Sequence, residues 1–107
     1  MSVDTNMEIY KEDTKEIKLT LTKPDADAWS DYKAIMTVSD RSTSEIKFAI
    51  TETFGAAEQT LSILKTHSEL MDIKEYNYDI RVYKADLSII KTVRKGIFKL
   101  KNRISDL

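Results

Sequence analysis

The sequence predicts an all-β sandwich of seven or eight short antiparallel strands, built as one domain over residues 1–107. Three observations predict it. Tyr76-Asn77-Tyr78-Asp79-Ile80-Arg81-Val82-Tyr83 alternates aromatic and β-branched residues with polar ones, and Ile97-Phe98-Lys99-Leu100-Lys101 follows beyond Gly96 as an antiparallel neighbour. Clusters of Ser, Thr, Asp and Gly separate the apolar runs at short intervals, as turns do. No stretch sustains the helical period of an amphipathic helix long enough to form a second class of layer.

The elements follow in chain order. Met7-Glu8-Ile9-Tyr10 is a short edge strand. Glu16 to Thr22 places Ile17, Leu19 and Leu21 on one face and Lys18, Thr20 and Thr22 on the other, a half-buried strand. Pro24 lacks a ladder donor and Asp residues bond their own backbone, so Lys23 to Asp31 is a loop, with Trp29 closing one end of the sandwich. Tyr32 to Val38 sets Tyr32, Ala34, Met36 and Val38 on one side. Ile35 interrupts the polar side, which predicts a central strand covered on both faces. Ser39 to Ser44 is a polar turn leading to a hairpin partner, in which Ile46, Phe48 and Ile50 alternate with Lys47, Ala49 and Thr51. After the Phe54-Gly55-Ala56-Ala57 loop, Thr60 to Lys65 is a strand. Thr66 to Asp72 forms one helical turn with Thr66 as cap and Glu69 three residues on. The segment from Ala56 to Met71 also has the composition of a longer helix, which would make the fold α+β. Three strands complete the chain: Lys74 to Lys84, Asp86 to Arg94, and Gly96 to Lys101.

Composition narrows the chemistry. At 107 residues the chain suits a single core. With no Cys there is no disulfide and no thiolate metal site, and His67 alone cannot make a histidine cluster. No apolar run reaches the roughly 20 residues of a membrane span, and Met1 to Asn6 lacks the character of a signal peptide, so a cytosolic protein, or one packaged from the cytosol, is expected. Charges balance at −1 overall but not along the chain. Residues 1–60 hold 12 acidic and 7 basic side chains (net −5), and residues 61–107 hold 6 and 10 (net +4).

The chain resembles the small immunoglobulin-like domains of bacteriophage tails, in particular the N-terminal domain of baseplate upper proteins. The residues that carry the resemblance are the turn and strand Lys11-Glu12-Asp13-Thr14-Lys15-Glu16-Ile17-Lys18-Leu19, the strand Glu75-Tyr76-Asn77-Tyr78-Asp79-Ile80, and Gly96-Ile97-Phe98-Lys99-Leu100. Glu12 stands where the family prefers Gly. The resemblance implies an immunoglobulin-like sandwich that attaches receptor-binding proteins or fibres to a tail. Proteins of that family continue into a long fibre-binding region, whereas this sequence stops at Leu107, so an isolated module, a fragment or a separate small virion protein is expected.

Several residues admit both a sharp and a plain role. Tyr76 and Tyr78 could stack on a sugar or base, but they are in phase with Ile80 and Val82 and read as core, one of them as a tyrosine corner. Tyr10 and Tyr83 fall outside that phase and are candidates for a contact surface. Lys91, Arg94, Lys95, Lys99, Lys101 and Arg103 form a run with no acidic residue. Nucleic acid could be held there, but the chain as a whole is not basic, so a solvated face or a protein contact is the better reading. Asp25, Asp27 and Asp31 could hold Ca²⁺, yet they lack the Gly and final Glu of a calcium loop, so an ordinary turn is expected, with no metal and no cofactor. His67 has no nucleophile motif beside it, and capping or surface is its default role.

These readings predict a non-enzymatic structural or adaptor component of a phage or prophage tail, found in the virion or in the host cytoplasm during assembly. Its partners would be other virion proteins or further copies of itself, with no membrane, and with nucleic acid the least favoured of the readings of the basic run. The basic run would face Asp25, Asp27 and Asp31 of a neighbour, head to tail, and the edges Met7 to Lys11 and Ile97 to Lys101 would serve strand addition. The alternative is a small phage-encoded inhibitor or regulator of a host protein. A carbohydrate-binding sandwich would instead require Trp29 and Tyr83 to be exposed together.

Overall fold

The computed structural model describes residues 3–22 and 28–102. Over these residues the chain is all-β apart from one helical turn and one 3₁₀ turn. In order it forms β1 (Val3–Asp4), β2 (Met7–Tyr10), β3 (Lys15–Thr20), the 3₁₀ turn (Trp29–Asp31), β4 (Tyr32–Asp40) and β5 (Ile46–Thr53). Then come β6 (Glu58–Ile63), α1 (Lys65–Ser68), β7 (Glu75–Lys84) and β8 (Ile90–Lys101).

Six of these strands share one sheet in the order β1/β2, β8, β7, β4, β5, with β1 and β2 lying one after the other along β8. β3 and β6 make a second, antiparallel pair. One apolar core joins the two layers: Ile17 and Leu19 of β3 and Leu61 and Ile63 of β6 meet Met36, Ile80, Phe98 and Leu100 of the larger sheet. The period-2 pattern decides which side chains go in. Tyr32, Ala34, Met36 and Val38 are at most 1% exposed, while Lys33, Ile35, Thr37 and Ser39 between them are half-buried. β4 is therefore central, as expected, but it is not covered on both faces.

The larger sheet is mixed, not antiparallel throughout, because β1 and β2 run parallel to β8. The chain leaves β2 for β3 in the other layer, so no hairpin forces the opposite direction. Two strands, not three, occupy the C-terminal third. β8 passes straight through Gly96, and the break falls at residues 85–89, where the Asp86 carboxylate accepts from the Ser88 N–H (2.9 Å) and hydroxyl (2.6 Å) and Leu87 takes a φ of 63°. Gly96 is needed in mid-strand: a Cβ there would lie 2.4 Å from the carbonyl oxygen of Thr5, between β1 and β2.

The segment 56–71 divides into β6 and the single turn α1, so no longer helix forms; Leu61 and Ile63, both fully buried, hold it in strand phase. The cap of α1 is Leu64, not Thr66. The Leu64 N–H donates to His67 Nδ1 at 2.8 Å, which gives His67 the capping role, and its ring stacks on Phe48 at 5.0 Å. Tyr76 and Tyr78 are core, 1% and 3% exposed. The Tyr76 hydroxyl donates to the carbonyl of Asp72 at 2.7 Å, a tyrosine corner at the start of β7. Burial raises both phenols above their ordinary pKa.

Candidate protein-interaction surfaces

Lys91, Arg94, Lys95, Lys99 and Lys101 of the basic run are carried on β8, and their side chains do not share one face. β8 is an interior strand between β7 and β1/β2, so Ile97 to Lys101 is not available for strand addition; Met7 to Tyr10 is an edge, as expected. Register then sorts the charges. Phe98 and Leu100 face the core beside Met7 and Ile9, leaving Lys95, Lys99 and Lys101 on the outer face. On that face Lys99 lies between Glu8 of β2 and Glu75 of β7, and Lys95 lies opposite Asp79 of β7. Lys101 Nζ is 3.4 Å from Glu8 Oε2 and 5.1 Å from the centre of the Tyr10 ring. The Glu8 carboxylate, with Tyr10 beside it, raises the Lys101 ammonium above its ordinary pKa.

The charge asymmetry along the chain is thus mixed in space. Cross-strand pairing gives Lys95 an acidic neighbour on β7 and brings Glu8, far away in sequence, beside Lys99 and Lys101, a relation no local pattern signals. Glu75 is further engaged by Arg41 at 3.2 Å, and Asp79 by Arg81 at 3.6 Å.

Arg94 and Lys91 sit elsewhere. The β7–β8 register shifts between Ile80 and Arg81, which makes Val93 an extra residue in β8. Val93 packs on the core and Arg94 lies opposite the buried Ile80. Arg94 therefore borders the space between the two sheets, a cleft of about 480 Å³ lined also by Lys18, Leu19, Leu21, Val82 and Val93. Lys91, with Tyr32 and Ile89, lines an adjoining hollow of about 220 Å³.

Asp25, Asp27 and Arg103 lie outside the described residues. Asp31 closes the 3₁₀ turn, where its carbonyl accepts from the N–H of Ala85 at the far end of β7. Lys99 lies opposite Glu75 at the near end of that strand, so Asp31 and Lys99 stand about 30 Å apart along the ten residues of β7, while Lys95, opposite Asp79, is nearer. Trp29 packs against the core, and both it and Tyr83 are half-buried; Tyr10 is 37% exposed.

One carboxylate is held deep in the polar turn after β4. Asp40, 6% exposed, accepts from the Ser42 N–H (2.8 Å) and hydroxyl (2.7 Å) and the Thr43 N–H (3.2 Å), and its second oxygen pairs with the Lys74 ammonium. The Lys74 ammonium, followed by the Ser42 and Thr43 donors, holds Asp40 well below the usual carboxylate range, and Lys74 is raised in turn. This cluster ties the β4–β5 turn to the segment entering β7. Its groups are mutually satisfied, so it reads as architecture.

Among the described residues no group of three His, Asp or Glu side chains is placed to hold a metal ion, and no helix is long and apolar enough to cross a membrane. The sequence matches no protein-family model and no curated protein.

Proposed function

We propose that this chain is an immunoglobulin-like sandwich acting as a non-enzymatic structural or adaptor module of a phage or prophage tail or baseplate, working through contacts with other virion proteins. The observation that carries the fold reading is topological. The order β8, β7, β4, β5 over the pair β3, β6 corresponds to the G, F, C, C′ sheet and the B and E strands of a variable-type immunoglobulin domain. The tyrosine corner falls where that fold has one, between the sixth strand and β7.

Two further features support the tail resemblance. Glu12 adopts a φ of 71°, the left-handed region that favours glycine, at the position where baseplate upper domains prefer Gly. Gly96, the counterpart of the glycine that opens the last strand in that family, lies inside β8 and meets the β1–β2 link. The role in assembly follows from what such a domain offers: open strand edges at β2 and β5, to which a strand of another subunit can add.

The test is composition of the particle. Mass spectrometry of purified particles from the encoding phage or prophage is expected to find the chain at a fixed ratio to other tail proteins. Its presence in the lysate but absence from particles, with a 1:1 complex on one host protein, overturns the proposal in favour of an inhibitor.

A further inference from the structure

The smaller sheet has two strands, and among the described residues nothing pairs with the outer edge of β3 or of β6; β2 and β5 border the larger sheet in the same way. An open strand edge is a template for another strand, and what it accepts depends on the charges it presents. Two copies of one strand joined antiparallel about a two-fold axis must set residues of the same face opposite each other, so the axis passes through a residue and its neighbours pair symmetrically.

Three of the four edges gain nothing from this. Centred on Ala49 or Ile50, β5 faces Lys47 with Thr51 or Thr53. β2 and β6 each contain one acidic residue and no basic one. β3 is different. Centred on Ile17 it sets Glu16 opposite Lys18 of the partner subunit and Lys18 opposite Glu16 of the partner subunit, two complementary pairs. Moving the axis to Glu16 or Lys18 brings like charges together, and moving it to Leu19 faces Lys18 with Thr20.

We propose that the chain pairs with a second copy of itself through the outer edge of β3, antiparallel about Ile17, so that the two small sheets become one of four strands in the order β6, β3, β3, β6. Glu16 and Lys18 are exposed, and the Lys18 side chain, 70% accessible, already lies 3.6 Å from Glu58 across β6. Pairing extends that contact into a ladder from Glu58 through Lys18 to Glu16 of the partner subunit. Ile17 and Leu19, 4% and 6% exposed, stay in their own core, so the edge can be joined without unpacking the domain. The inference stands on the β3 register and does not depend on the tail assignment.

Light scattering on the full chain tests it. The wild type is expected at twice its 12.3 kDa mass at low salt, with the dimer weakening as salt rises. E16K sets Lys against Lys18 and K18E sets Glu against Glu16, so each alone weakens the dimer by about tenfold or more. An equimolar mixture of E16K and K18E restores it, because each strand then faces its opposite charge, and the double variant E16K/K18E dimerises as the wild type does. Should either variant fail to fold, hydrogen exchange on the wild type carries the test, with β3 amides gaining protection as concentration rises. A wild type that stays monomeric to about 1 mM, a dimer indifferent to the single swaps, or a mixture that fails to recover overturns the proposal.

Discussion

Replacing Gly96 with Ala tests the packing of the N-terminal strands on β8. In most strands this change stabilises by about 0.4–1 kcal/mol, because Ala has less freedom to lose from the unfolded chain. Here no φ in the left-handed region opposes it, so the outcome is decided by space alone. The new Cβ would stand 2.4 Å from Thr5 O, 2.8 Å from Thr5 C and 3.1 Å from Asn6 Oδ1. The nearest atoms are backbone and cannot rotate away, so the β1–β2 link must move. That link is held by the Thr5 N–H donating to Lys95 O at 2.8 Å, by Asn6 Oδ1 accepting from the Ile97 N–H at 3.1 Å, and by the Tyr78 hydroxyl donating to Thr5 O. Overpacking costs roughly 1–3 kcal/mol and each lost hydrogen bond about 1 kcal/mol, so a loss of about 2–4 kcal/mol is expected. For a domain of this size that lowers Tm by roughly 10–25 °C. Thermal unfolding followed by circular dichroism measures it, with Gly55→Ala as control, since nothing lies within 4 Å of a Cβ there. A Tm for Gly96→Ala that is unchanged or raised would refute the close approach of β8 to Thr5, and with it the parallel pairing of β1.

Three further changes probe the corner, the turn and the strained backbone. Tyr76→Phe removes the 2.7 Å bond to the Asp72 carbonyl while keeping the buried ring, and should lower the urea midpoint by the equivalent of about 1 kcal/mol at unchanged slope. Asp40 titrates below its ordinary value of 3.8 in the folded protein, so its contribution is full above that value and is lost as pH falls through the lower folded pKa. Urea titrations between pH 7 and pH 2 should therefore show wild-type stability falling more steeply in acid than that of Asp40→Asn; equal slopes would contradict the Lys74 pairing. Glu12→Gly relieves a φ of 71° and should leave stability equal or raise it by up to about 1 kcal/mol, with a clear loss counting against that geometry.

Alternation was enough to find most strands. β2 matches its expected span, and the inward residues of β4 and β7, from Tyr32 to Val38 and from Tyr76 to Val82, are buried as their spacing demands. It also identified Tyr76 and Tyr78 as core. The turn after β4 was legible from its Ser, Thr and Asp content. The helical turn starts earlier and is shorter than expected, capped at Leu64 and ending at Ser68 where Thr66 and Asp72 were expected, because the cap uses the His67 ring and Leu64 backbone.

By itself, then, the sequence determined the all-β class, most strand phases and the absence of cysteine chemistry, since a period of two and a composition are local properties. Only the tertiary structure decided which strands are edges and which charges meet. It put Glu8 beside Lys101 and Asn6 beside Ile97, pairs 93 and 91 residues apart, and so split a basic run between faces and set acidic residues beside its outer lysines. It also turned a glycine that read as the start of a strand into a contact in the middle of one. Strand order comes from burying one shared core between two sheets, and that requirement couples residues whose local patterns carry no information about each other.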